Sequence, residues 1–254
     1  MLLASLLLKL GGYGLLRFSL TFLGAASVAY TPAVAVLAIA GVVYGSLSTL
    51  RQIDLKRVIA YSSVAHMNLV VLGIFALNRL GLEGAIYLMV AHGIVSSALF
   101  FCIGVLYDRT HSRLRRYYGG LVTTMPVLMS AFFIFSLANM GFPGTPNFLG
   151  ELLMLAGVFE LAAFVVLCGS WGIVFSAVYS TLAFNGAAFG TLKTKYIAAF
   201  KDVDFREFAI LLVLTVLSVL TGLCSGIVLE FVQTIVCNIS YYPSATPAVV
   251  LEVA

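Results

Sequence analysis

Long apolar runs alternate with short polar links along this chain, and a run of about 20 apolar residues crosses a bilayer as a helix. Seven spans are expected, at residues 2–18, 33–50, 58–77, 85–106, 122–160, 161–188 and 208–236. A turn holding Gly24 and Thr31-Pro32 separates the first two. The links at 51–57 and 107–120 are the polar breaks around the third and fourth spans, and 78–84 is a short one between them. The pattern predicts an all-α, polytopic membrane bundle over residues 1–237, with 238–254 as a surface tail.

The fifth span differs from the others. It contains Met140-Gly-Phe-Pro-Gly-Thr-Pro-Asn-Phe-Leu-Gly-Glu151, between helical stretches at 125–138 and 152–159. Pro143 and Pro146 have no backbone N–H, and Gly141, Gly144 and Gly150 favour bends, so the helix should break inside the bilayer. Hydrocarbon offers no partner to freed backbone groups, so such a break must face protein or a polar cavity. Glu151 follows at once, and an intramembrane carboxylate is a candidate proton or ion site. Its bland alternative is a cap on the second half-helix.

Composition places the chain in its solvent. Of 254 residues, 62 % are hydrophobic and 9 % charged, with a mean hydropathy of +1.10, more apolar surface than a soluble domain can hide. No cleavable signal peptide is visible at the start. The net charge of +4 does not point to nucleic acid, because the charges are sorted by loop. The loops at 51–57, 107–119 and 189–206 hold 11 of the 14 Lys and Arg residues, leaving Lys9 in a span and Arg17 and Arg79 on the other side. The positive-inside rule puts these loops on the cytoplasmic or matrix side, with the N-terminus there and the C-terminus opposite. The cluster Arg113, Arg115, Arg116 sets topology, with anionic lipid contact as a weaker reading. Cys102, Cys168 and Cys224 lie in apolar runs and read as small buried hydrophobes, while Cys237 lies near a surface.

Lys9, His66, His92 and Glu151 stand on four spans at similar depth, near the midplane of a hydrocarbon core about 30 Å thick. Burial disfavours the charged form of any such group, and histidine titrates near neutrality, so this set can pass protons at physiological pH. The alternative for each histidine is a satisfied core residue. His111, in the basic loop, reads as an ordinary surface residue, and Asp54 as part of a solvated turn with Lys56 and Arg57, with an ion pair to either neighbour as the alternative. No P-loop, GxGxxG turn, CxxC cluster or nucleophile elbow is present, so no metal or cofactor site is expected in this chain.

Several stretches carry a resemblance. They are Leu6-Leu-Leu-Lys-Leu-Gly-Gly-Tyr-Gly-Leu-Leu-Arg-Phe18, Arg51-Gln-Ile-Asp-Leu-Lys-Arg57, Ile59-Ala-Tyr-Ser-Ser-Val-Ala-His-Met67, Ala91-His-Gly93, Tyr118-Gly-Gly-Leu121 and Pro143-Gly-Thr-Pro-Asn-Phe-Leu-Gly-Glu151. From residue 1 to about 235 the chain resembles the C-terminal part of the antiporter-like subunit 4 family of mitochondrial NADH:ubiquinone oxidoreductase, complex I. The resemblance implies a fourteen-helix fold of two inverted repeats, of which this chain matches helices eight to fourteen. It implies a hydrated proton path through Lys9, His66, His92 and Glu151, with Glu151 as the terminal group. It places NADH, FMN, iron–sulfur clusters and ubiquinone in other subunits, and the chain in the mitochondrial inner membrane beside other membrane-arm subunits. Helices one to seven are absent from the sequence, so a separate polypeptide from a split gene is expected to supply them, with truncation as the alternative. A subunit of a cation/proton antiporter without redox activity is the competing functional reading.

Overall fold

The structure is a computed structural model, and it describes residues 2–192 and 201–240. Helix α1 covers Leu3–Leu20, α2 Gly24–Arg51, α3 Leu55–Ile74 and α4 Arg79–Thr110. A single turn, α5 (Leu121–Thr124), precedes the half-helices α6 (Pro126–Asn139) and α7 (Pro146–Phe159). Then come α8 (Ala163–Ala188), α9 (Phe205–Leu223) and α10 (Ser225–Ser240). No named strand occurs among the described residues, as a bilayer requires of anything but a closed barrel.

Four boundaries depart from the sequence reading. The expected turn at Thr31-Pro32 is helical: α2 starts at Gly24 and runs through Pro32, with Thr31 Oγ1 donating to the Ser27 carbonyl at 2.8 Å. Continuing the helix leaves one carbonyl without its usual N–H, whereas a turn in hydrocarbon would strand several groups. Helix α4 begins at Arg79, well before residue 85, because the Asn78 side chain accepts from the Gly81 N–H at 2.9 Å and caps it. The second half-helix starts at Pro146 instead of 152, since proline suits the first helical position. The span read at 208–236 is divided at Cys224 into α9 and α10. Of the expected tail, residues 238–240 complete α10, and 241–254 lie outside the described residues.

Helices α3 and α4 form the centre, with α7 packed on α4 at backbone distance. A Cβ built on Gly84 would lie 2.4 Å from Met154 N, and one on Gly157 would lie 2.3 Å from Gly81 N, so these glycines permit the approach. Two apolar cores result. One, toward the basic loops, joins Leu55, Val58, Leu99, Leu106, Met125, Phe132 and Ala187. The other, toward the opposite end, joins Leu69, Ile74, Leu82, Leu88, Met154 and Val232. Along α3 and α4, His66 and His92 fall between these two sets, in a polar layer across the bundle.

The basic loops meet at one end. Leu55 N donates to Arg113 O at 3.0 Å and Arg115 N to Ile53 O at 2.9 Å, making an isolated antiparallel bridge between Asp54 and Leu114. Arg109 ties in the third loop through the carbonyls of Lys201 and Asp202 and a two-pronged pair with Glu207, at 3.2 and 2.7 Å. Lys193 and Lys195 lie outside the described residues. Asp54 pairs with Arg57 at 3.3 Å, and His111 is exposed.

Candidate functional site

The fold brings the four candidate residues into one line. Lys9 Nζ lies 2.9 Å from His92 Nδ1 and also donates to the Ala4 carbonyl. The bond to Ala4 spans five residues, and α1 is π-helical at Leu3–Leu7 and again at Leu15–Leu20. Such insertions cluster at functional sites. The His92 and His66 rings stand 5.3 Å apart between centroids, tilted by 51°. His66 Nδ1 then lies 3.2 Å from Glu151 Oε1, too poorly aligned for a hydrogen bond, and neither atom has another protein partner. His66, His92 and Glu151 are 2 %, 0 % and 2 % exposed, whereas Lys9 is half-buried beside a groove of about 430 Å³.

Glu151 does not cap the second half-helix. It lies more than a turn inside α7, and Thr145 occupies the cap position without a side-chain bond. Its other oxygen lies against the break: a Cβ on Gly141 would stand 2.5 Å from Glu151 Oε2. Gly141 has φ +71°, which favours glycine, so the bend brings backbone against carboxylate where a side chain would intervene. One turn before Glu151, Asn147 is fully buried, and neither atom of its amide has a protein partner. His92 Nε2 and Ser96 Oγ, one turn apart on α4, are also unpartnered. Buried polar atoms are paired almost everywhere in proteins, so several without a protein partner in one layer make it the candidate site.

Other members of this layer were not picked out from sequence. Tyr179 of α8 places its hydroxyl 3.2 Å from His66 Nε2, although a tyrosine inside an apolar run gives no warning of such a contact. Asn139 ends α6 and donates to Ser180 Oγ at 3.1 Å. Asn139 and Asn147 both flank the proline-rich break, a signal that was available. Glu83 is 4 % exposed and pairs with Arg79 at 2.6 Å, drawn inward by the early start of α4. Of the cysteines, only Cys102 is fully buried; Cys168 is half-buried and Cys224 exposed. Apolar residues in a membrane bundle face lipid as readily as core, so an apolar run does not imply burial in protein. Among the described residues no three His, Cys, Asp or Glu side chains are grouped to hold a metal.

Comparison with known proteins bears on the family and the fold. The chain is 50 % identical over 222 residues to NADH-ubiquinone oxidoreductase chain 4 of Chondrus crispus, covering 87 % of this chain and 45 % of the relative. A chain of the respiratory complex I from Thermus thermophilus superposes with a TM-score of 0.86 at 26 % identity, over 92 % of this chain and 50 % of that one. A chain of the Mrp complex from Dietzia sp. DQ12-45-1b gives 0.82 at 18 % identity, over 91 % of this chain and 52 % of that one, and shows the fold alone. The present chain thus spans about half the length of these proteins. Residues 1–178 match the transmembrane domain described as NADH:quinone oxidoreductase/Mrp antiporter, and the chain belongs to that family.

Proposed function

We propose that this chain carries protons in the membrane arm of a respiratory NADH:ubiquinone oxidoreductase, complex I, whose electron transfer occurs in other subunits. The observation that carries the reading is the close succession Lys9, His92, His66, Glu151 across α1, α4, α3 and α7. Each member can hold or release a proton, and each stands within reach of the next or one ring away. A charge imposed at Lys9 changes the proton affinity of His92 through their contact, and the change passes by way of His66 to Glu151. Glu151, at the break, exchanges the proton with the side opposite the basic loops. NADH, FMN, iron–sulfur clusters and ubiquinone belong to partner subunits, and this chain supplies the relay.

In the same reading the basic loops face the mitochondrial matrix and the bundle sits in the inner membrane. The groove beside Lys9 receives the neighbouring membrane-arm segment, whether the rest of the antiporter-like fold arrives as a separate polypeptide or not. Anionic lipids, cardiolipin among them, rest against the groove of about 380 Å³ where Lys56, Arg113 and Arg206 outnumber Asp108 and Glu207.

Replacing Glu151 by Gln in the assembled complex should reduce protons pumped per electron and slow coupled turnover by about a hundredfold, as loss of a proton-transfer group does. Unchanged proton uptake in reconstituted vesicles would rule out Glu151 as a relay member. The family description takes in the Mrp antiporter as well, which supports a second reading, a cation/proton antiporter subunit. Sodium-dependent transport by a complex that does not oxidise NADH would decide for it.

A further inference from the structure

His92 Nε2 and Ser96 Oγ on α4 and both amide atoms of Asn147 on α7 are buried without a protein partner. The packing of these two helices sets them at one level. Backbone contact pairs Gly157 with Gly81, Met154 with Gly84 and Gly150 with Leu88, a register in which one number falls as the other rises. One turn further toward the break, the same register sets Asn147 level with Ala91, beside His92. Asn147 belongs to the row Gly150, Met154, Gly157 that meets α4, while Glu151, one turn on, turns to His66 of α3. The amide therefore stands where α3, α4 and α7 meet, at the step between the two histidine rings. The Ser96 hydroxyl has carbonyls one turn back to fall on, as Ser97 has in Ile94 at 2.8 Å. Asn147, the second residue of α7, has no helical turn behind it. An unbonded buried amide raises the energy of this state relative to any in which it is bonded.

We propose that Asn147 is the positioning residue of His92: its amide bonds to Nε2 and rotates to match the tautomer of the ring as a proton passes. The inference rests on the reading of the four-residue line as a proton relay. While the Lys9 ammonium donates to Nδ1, a neutral His92 carries its hydrogen on Nε2, and the Asn147 carbonyl oxygen accepts from it. Lys9 then gives a proton to Nδ1, and Nε2 gives its own to His66, which becomes an imidazolium. One proton has entered the His92 ring and one has left. Lys9 is now a neutral amine, and His92 is a neutral ring with a bare Nε2 that needs a donor. The same amide supplies one by half a turn about its last torsion, because it presents oxygen on one side and NH2 on the other. Asn147 thus holds the ring through both tautomers and itself neither gains nor loses a proton.

The test is a double-substitution cycle in the assembled complex, read as NADH oxidation coupled to proton uptake in sealed vesicles. Asn147→Leu, which removes the amide at similar volume, should slow coupled turnover about fivefold, the rate equivalent of one net hydrogen bond. In a His92→Gln background, where no tautomer remains to be followed, the same change should cost less than about twofold. Asn147→Ala carries the same pair of expectations where leucine blocks assembly. A packing role would give equal losses in both backgrounds. Equal losses, or none in the otherwise unaltered complex, overturn the role of the amide while Glu151→Gln still cuts pumping. No effect of Glu151→Gln overturns the relay and this inference together.

Discussion

Two spans are interrupted in this bundle, and they differ in what surrounds the interruption. The break between α6 and α7 brings Asn139, Asn147 and Glu151 into the polar layer and lays the Glu151 carboxylate on Gly141. The break between α9 and α10 has no buried ionisable residue, and its Cys224 is exposed. The two are neighbours: a Cβ on Gly222 would stand 2.3 Å from the Gly144 carbonyl oxygen, and the Tyr87 hydroxyl on α4 donates to Thr221 O. The second break therefore serves the first, fitting the seventh span around the loop 140–145. An interrupted membrane helix is a site only where side chains able to use the freed space accompany it.

That contrast can be broken by substitution. The largest effect is expected from Gly141→Ala, because the new Cβ meets Glu151 Oε2 at 2.5 Å and the left-handed backbone adds about 1–2 kcal/mol of strain. Pumping per electron should fall almost as far as in Glu151→Gln, measured by proton uptake in vesicles from complexes that still assemble. Gly222→Ala should act on assembly instead. Its Cβ meets backbone, so both breaks must shift, lowering stability by about 2–4 kcal/mol in thermal unfolding of the complex. Complexes that survive should pump normally, and a pumping defect there would erase the distinction between the two breaks. The smallest change is expected from Asn147→Leu. Removing an unpartnered buried amide should leave stability within about 1 kcal/mol or raise it. Turnover should nevertheless slow severalfold, read as NADH oxidation coupled to pumping, since the polar layer loses a member beside Glu151.

The sequence made the first break legible and hid the second for the same reason. Prolines set among glycines announce themselves, whereas Gly222 and Gly226 around Leu223, Cys224 and Ser225 look like the glycines inside the continuous helices, and what bends the chain there is the loop it packs against. Lys9, His66, His92 and Glu151 were readable because charge in an apolar run is conspicuous. Their contacts were not, since depth along a helix can be counted but rotation about its axis cannot. Tyr179 illustrates the limit: nothing local distinguishes it from Tyr61, which is exposed. The early starts of α4 and α7 turned on the Asn78 cap and the first-position Pro146, both visible in the sequence once a helix boundary is sought there.

The π-helical turns of α1 bear on how a distant event could reach Lys9. Each turn closes its hydrogen bonds one residue further along than an α-turn, so the rotation of every later side chain about the axis depends on where the wide turns fall. Lys9 thus stands between two wide turns, and its contact with His92 depends on the pitch of α1.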